Sequence, residues 1–125
     1  MIPIETLKKR VQKGVRLLNR TNPNWYKHID GGSITMEMPC QCVLGQLFGN
    51  YYSGVKILKL AKPSTVLPMF EREKLIKAGA PYGFSFSSFD SNRYYKTEEQ
   101  EAKGFDQLGA LWHKEIKKLW KKAGS

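Results

Sequence analysis

The chain has 125 residues and a formal net charge of +10, with 41% hydrophobic and 12% aromatic residues. This length fits one domain, residues 1–125, and its hydrophobic content favours a folded protein over a disordered one. No apolar run approaches the roughly 18 residues of a transmembrane span, and residues 1–5 lack the basic-then-apolar order of a signal peptide. The sequence therefore predicts a cytoplasmic protein with no membrane partner and with reduced cysteines.

Positive charge is concentrated in residues 1–31, 56–78 and 111–125, whereas residues 79–110 are acidic. This charge permits binding to nucleic acid, a nucleotide, anionic lipid or an acidic protein. Residues 32–55 differ from their surroundings, since Glu37 is their one charged side chain. We expect this stretch to form the buried centre and the basic segments to form the surface.

The first predicted helix begins at Pro3, and Thr21-Asn22-Pro23-Asn24 ends it. Spacings of three and four place its apolar residues on one stripe: Ile4, Leu7, Val11, Val15 and Leu18. The opposite side of the helix is basic: Lys9, Lys13, Arg16 and Arg20.

Two segments alternate apolar and polar residues with the period of a half-buried strand, residues 34–38 and residues 82–86. Between them we expect a buried helix over about residues 41–52, a break at Lys62-Pro63-Ser64, and a helix over residues 68–78 with Gly79 as its stop. Residues 87–96 are predicted to be a loop, being rich in Ser, Asn, Asp and Tyr.

Thr97 and Gln100 predict a capping box at the start of the last helix. Its apolar stripe is Phe105, Leu108, Trp112, Ile116 and Leu119. Its basic face is Lys114, Lys117, Lys118, Lys121 and Lys122. The predicted fold class is α+β: a mostly helical domain, with amphipathic N- and C-terminal helices around a buried central helix and a small two- or three-stranded sheet.

The basic faces of the first and last helices are the leading functional feature, because cations along one side of a helix can contact successive phosphates. The plainer interpretation is a solvated helix face. Sequence-specific readout has no support, since the chain contains no recognisable helix-turn-helix or zinc-finger pattern.

A second candidate site is the pair Tyr94-Tyr95 between Arg93 and Lys96, which suits a planar, phosphorylated ligand. Aromatic residues that would suit stacking on a base are Phe84, Phe86, Phe89, Tyr94 and Tyr95. The alternation of Tyr82, Phe84 and Phe86 is more typical of a core face.

Cys40 and Cys42, with His28 and His113, are weaker candidates for a metal or thiol site. Their Cys-x-Cys spacing differs from the Cys-x-x-Cys of zinc knuckles. A thiolate at a helix N-terminus with His113 as base is the nucleophilic alternative, and buried small residues are the simpler one. We expect no cofactor and no enzymatic activity, because no Walker loop or Ser-His-Asp arrangement stands out.

Residues 40–54, which contain Cys-Val-Leu-Gly-Gln-Leu-Phe-Gly, follow an Asn24-Trp25 pair and an Ile29-Asp30 step. Together with Tyr-Gly-Phe at residues 82–84 and a closing helix that carries a Trp, this pattern resembles small accessory proteins of tailed bacteriophages that infect Gram-positive bacteria. The likeness covers residues 24–60 most closely. It implies a phage accessory protein acting in the host cytoplasm.

Two hypotheses follow. In the first, a non-enzymatic phage-type protein binds a phosphate-bearing partner, above all nucleic acid, through the two basic helix faces. In the second, an anti-defence protein holds a host defence protein or sequesters a nucleotide signal, using Arg93, Tyr94, Tyr95 and Lys96. The oligomeric state stays open, and Gly45 and Gly49, four residues apart on one helix face, would suit a dimer contact.

Overall fold

The computed structural model describes residues 1–30, 33–61 and 68–124. Within these ranges the α-helices are α1 (Ile4–Thr21), α2 (Val43–Phe48), α3 (Tyr51–Ile57), α4 (Pro68–Gly79), α5 (Ser88–Tyr94) and α6 (Glu98–Gly124). Two 3₁₀ turns, Trp25–His28 and Ala80–Tyr82, lie between them. No described residue belongs to a strand, so the fold is all-helical and the predicted α+β class with a small sheet was wrong.

The helices at the two ends of the chain are confirmed, and so is α4. Leu7, Val11 and Leu18 of α1 are buried as predicted, although Ile4 at its start is exposed. Thr97 caps α6 by accepting a hydrogen bond from the backbone N–H of Gln100 at 3.1 Å. The predicted break at Lys62-Pro63-Ser64 lies outside the described residues.

The first predicted strand, residues 34–38, is a series of turns. The backbone N–H of Met38 donates to the carbonyl of Thr35 at 3.1 Å, and that of Gln41 donates to Met38 at 3.0 Å. Met36 is buried, but Met38 is 48% exposed, so the alternating apolar residues do not share one buried face. Local turn bonds satisfy this backbone, and a period of two over five residues does not require a partner strand.

The second predicted strand, residues 82–86, is an irregular segment that packs on α6. Gly83 has a φ of +72°, a conformation that glycine adopts without strain. The ring of Phe84 stacks on Trp112 with centroids 5.4 Å apart, and the ring of Phe86 contacts Phe105 at 4.6 Å. The alternation therefore reflects two rings inserted into a helical core.

Two further predictions of local structure need correction: the buried central helix is confirmed in part, as α2, and the loop was wrong. The helix expected over residues 41–52 is interrupted, because Gly49 adopts a φ of +91° after α2 and the Asn50 side chain caps α3 by accepting from Ser53 N–H. The loop expected over residues 87–96 contains α5, which starts with a complete capping box between Ser87 and Asp90. A Ser-x-x-Asp pair at this position was the signal for a helix start.

Trp112 lies at the centre of the core. Its indole is fully buried, contacts Trp25 edge to face at 5.9 Å, and donates from Nε1 to the carbonyl of Gly83 at 2.6 Å. Gly14 brings the α1 backbone against the edge of the same ring. One buried cluster thus joins α1 and α6 to the shorter helices. Over the described ranges, no helix has the length and apolar content needed to span a membrane.

A substitution at Gly14 tests the packing of α1 against Trp112. A Cβ at Gly14 would collide with the carbonyl oxygen of Tyr82 and lie 2.8 Å from the Trp112 ring. Gly14→Ala should therefore lower the free energy of unfolding by about 1–3 kcal/mol, the usual cost of overpacking. Urea denaturation followed by circular dichroism measures this change.

The matched control is Gly109→Ala in α6, where the new Cβ meets Met36 at 3.6 Å, an ordinary contact. Alanine in this helix interior should raise stability by up to about 1 kcal/mol. Equal stability of the two variants would show that the α1–α6 contact is looser than described.

Candidate nucleic-acid interface

The four predicted cations of α1 form an exposed stripe on the side of the helix away from the core: Lys9, Lys13, Arg16 and Arg20. We call this set the α1 stripe. None of the four forms an ion pair with another described residue, because the α1 ion pairs involve Lys8 with Glu5 and Arg10 with Asp90. Lys13 lies over the ring of Tyr82, with Nζ 4.6 Å from the centroid. These cations are available to an external anion.

The predicted cations of α6 are exposed as well: Lys114, Lys117, Lys118, Lys121 and Lys122. Lys118 forms an ion pair with Glu115 at 3.3 Å. Gly14 of α1 faces Trp112 of α6, and each basic stripe lies roughly opposite that contact on its own helix. The structure therefore exposes both predicted faces but directs them away from each other.

An open groove of about 570 Å³ lies between α1, the end of α4 and α5. We call it the basic groove, and its charged and aromatic lining is Arg10, Lys77, Phe89, Asp90 and Tyr94. Pro81 also lines the basic groove, and its neighbour Tyr82 lies under Lys13 of the α1 stripe. The groove therefore adjoins the α1 stripe. Among the described residues, none from α6 lines this groove.

The side chains of Arg10 and Asp90 hold α5 against α1. The two guanidinium nitrogens of Arg10 donate to the two carboxylate oxygens at 2.9 and 3.0 Å, and Ser87 N–H donates to the same carboxylate at 3.1 Å. Burial by itself would raise the pKa of Asp90. The hydrogen bonds from Arg10 and Ser87 and the Arg10 charge outweigh it, so the pKa lies below its usual range.

Of the second predicted site, Tyr94 lines the groove, and Arg93 lies beside it against the rings of Phe89 and Tyr94. The Arg93 guanidinium lies 5.8 Å from the ring centroid of Phe89 and 5.5 Å from that of Tyr94. Phe89 is 65% exposed. Tyr95, by contrast, is buried against Phe86 with ring centroids 5.1 Å apart.

Lys96 is exposed but does not line the groove. The four residues predicted together are therefore separated. Helix α5 ends at Tyr94, and Tyr95 follows in an extended conformation with its ring in the core.

The cysteines and histidines do not come together. Cys40 and His28 are exposed and Cys42 is buried, and the described residues contain no group of three or more potential metal ligands. The Cys42 Sγ accepts from Gly45 N–H at 3.3 Å, which caps α2. Burial raises the pKa of this thiol in spite of the backbone hydrogen bonds, which opposes the thiolate of the nucleophilic alternative.

The two glycines suggested for a dimer contact have different surroundings. Gly45 is buried, and a Cβ on it would collide with the carbonyl oxygen of Pro39 and lie 2.7 Å from the backbone of Cys40. Gly49 is exposed and has open space around it. The close approach that Gly45 permits is therefore made within the chain itself.

No protein family, curated protein or solved structure compared with this chain matches it.

The groove contains two cations that the sequence did not point to, Arg10 and Lys77. Arg10 lies between the apolar and basic sides of α1, and its partner Asp90 is 80 residues away. No local pattern links positions so far apart. Phe89 was one of several aromatic residues that suited stacking, and only its exposure distinguishes it from Phe84 and Phe86.

Asp90→Asn should lower the free energy of unfolding at pH 7 by about 3 kcal/mol, the cost of breaking a largely buried pair. Because the folded-state pKa of Asp90 is lowered, its contribution is present above the usual pKa of about 3.9 and is lost as pH falls through the folded value. The difference between wild type and variant should therefore shrink below about pH 4. Urea denaturation across this range checks it, with exposed Asp106→Asn as control. A difference independent of pH would contradict the assignment.

Tyr95→Phe should leave stability unchanged or raise it by up to about 1 kcal/mol. The Tyr95 hydroxyl is buried, and the backbone of Ile2 approaches it without completing a hydrogen bond. The control is Tyr51→Phe, whose hydroxyl donates to the carbonyls of Leu75 and Ile76 at 2.9 and 3.0 Å. That variant should lose about 1–2 kcal/mol in thermal or urea unfolding. Equal losses in the two variants would show that Tyr95 has a partner.

Proposed function

We propose that this protein is a non-enzymatic, phage-type accessory protein that binds nucleic acid through its phosphates. The observation that supports this proposal most directly is the α1 stripe, whose four cations are exposed and lack ion-pair partners among the described residues. Glu5 is the one acidic residue in the 18 residues of α1. Glu5 lies one turn before Lys9 and pairs with Lys8, so between Lys9 and Arg20 an approaching anion meets no carboxylate of α1.

The spacing of the stripe suits a nucleic-acid backbone. Lys9 and Arg20 are 11 positions apart, which corresponds to about 16 Å along the helix axis. At the rise of about 3.4 Å per nucleotide along a duplex, that distance spans roughly five phosphates of one strand, and it spans fewer in an extended single strand. Four long cationic side chains can reach a backbone of this length, and each neutralised phosphate releases counterions.

The α6 lysines contribute differently in this proposal. Since they face away from the α1 stripe, a single strand lying along α1 does not contact them. Their charge still attracts a polyanion at long range, and salt screens this attraction over about 10 Å at 0.1 M. We therefore place the contact surface on α1 and assign the α6 lysines to long-range attraction.

A second candidate function, sequestering of a nucleotide signal in an anti-defence role, is favoured by the position of Arg93 over Phe89 and Tyr94. A small ligand would occupy the basic groove alone. Its binding should survive moderate salt, because one or two phosphates release few counterions.

The two stripes can be separated by charge reversal. Lys9, Lys13, Arg16 and Arg20, all changed to Glu, form one variant. The control variant carries the same number of reversals on α6, at Lys114, Lys117, Lys118 and Lys121. Fluorescence anisotropy with labelled single-stranded and duplex oligonucleotides measures affinity as a function of salt.

The α1 variant should lose at least a hundredfold in affinity at low salt, and its slope of log K against log salt should fall by about 3–4, the expectation for four lost phosphate contacts. The α6 variant should lose much less and keep its slope. Equal losses would place the partner on both helices. Wild-type protein that binds no oligonucleotide at low salt would refute the proposed function.

A further inference from the structure

Phe89 is the most exposed large apolar side chain among the described residues, at 65%. It does not lie on a flexible tail: it is the second residue of α5, next to the Asp90 that pairs with Arg10 and completes the capping box with Ser87. The protein thus holds an aromatic ring in solvent at a defined position. Single exposed apolar side chains are common on protein surfaces, so the meaning of Phe89 comes from the groups around it.

The groups around Phe89 suit one class of ligand. Tyr94 gives the groove a second aromatic side chain, and the Arg93 guanidinium lies close to both rings. Lys77 lines the groove from α4. The negative charge of Asp90 is compensated by its two hydrogen bonds from Arg10, so Lys77 gives the lining an excess of positive charge. Arg93 adds a second cation from beside the rings of Phe89 and Tyr94. Aromatic faces together with cations bind a planar ring that carries an anion.

We infer that the basic groove is a binding site for one unpaired nucleobase and its attached phosphate. The base stacks on Phe89 beside Tyr94, and Lys77 and Arg93 bind the phosphate. The volume of about 570 Å³ falls in the usual range for sites that hold a small molecule. This inference rests on the proposed function and sharpens it, because a base inside a duplex does not offer its face to a protein ring.

The groove also adjoins the α1 stripe. Lys13, a member of the stripe, lies over Tyr82, and the neighbouring Pro81 lines the groove. A strand whose base enters the groove can continue along the stripe with its phosphates on the cations. The preferred polymer is therefore single-stranded nucleic acid.

The same chemistry, a base with a phosphate, is offered by a free nucleotide, and the experiment separates the two sources. Full-length wild type and Phe89→Ala are titrated by anisotropy against a labelled 15-nucleotide single strand and a duplex of equal length. Both proteins are also titrated by calorimetry against ATP and a cyclic dinucleotide at moderate salt.

The matched control is Phe70→Ala, which removes an exposed ring of α4 that does not line the groove. Phe89→Trp serves as the conservative variant that keeps a stacking surface.

Phe89→Ala should weaken single-strand binding roughly 5- to 150-fold, the range for loss of one stacked base, and leave duplex binding within twofold. Phe89→Trp should retain single-strand affinity, and Phe70→Ala should leave both affinities unchanged. If free nucleotides bind and depend on Phe89 while no oligonucleotide binds, the base site stands and the nucleic-acid function fails.

Unchanged single-strand affinity in Phe89→Ala, together with loss in the α1 variant, would overturn the base site and leave the proposed function intact. Equal losses on single strand and duplex would also overturn it, since the ring would then be a general contact. Absence of binding to every probe would overturn both.

Discussion

The indole of Trp112 is the point on which the rest of the structure depends. Its faces and edge contact Phe84 and Trp25, its N–H bonds to Gly83, and the α1 backbone reaches it at Gly14. A ring of this size stabilises a core by several kcal/mol. Because it joins α1, α6 and the segment before α5 at one place, it also sets the positions of the surfaces that these elements expose.

The Arg10–Asp90 pair depends on that arrangement and extends it to the surface. Trp112 and Phe84 bring the chain after α4 against α1, which places α5 where its first turn can meet Arg10. The pair therefore has two consequences: it satisfies a buried carboxylate, and it orients the neighbouring Phe89 outward. The ion pair thus connects the exposed ring to α1, and the buried Tyr95 connects the other end of α5 to the core.

The charged and uncharged residues are divided between the surface and the core. The uncharged stretch around α2 and α3 provides Val43, Leu44 and Val55 to the core, and the cations lie on outward helix faces. Directing the two lysine-rich stripes away from each other separates like charges that would otherwise destabilise the folded state. Because the stripes point in different directions, an extended ligand contacts one stripe at a time. The stripe beside the basic groove is the α1 stripe.

Helices α1, α4 and α6 and the exposure of the basic faces were determined by the sequence alone, because they depend on interactions between residues three or four positions apart and on local caps such as Thr97 with Gln100. The capping box of Ser87 and Asp90 is also a local signal, but the polar composition of residues 87–96 led to the prediction of a loop. Tertiary structure alone decided the rest. Residues 34–38 and 82–86 alternate with a period of two, and this period is the same for a strand and for a segment that inserts rings between helices. Only the partners available in the folded protein distinguish these two structures. The contact of Arg10 with Asp90, and the exposure of Tyr94 beside a buried Tyr95, depend on how distant helices pack. Gly104 leaves room for the Tyr95 ring, and no pattern within residues 93–96 carries that information.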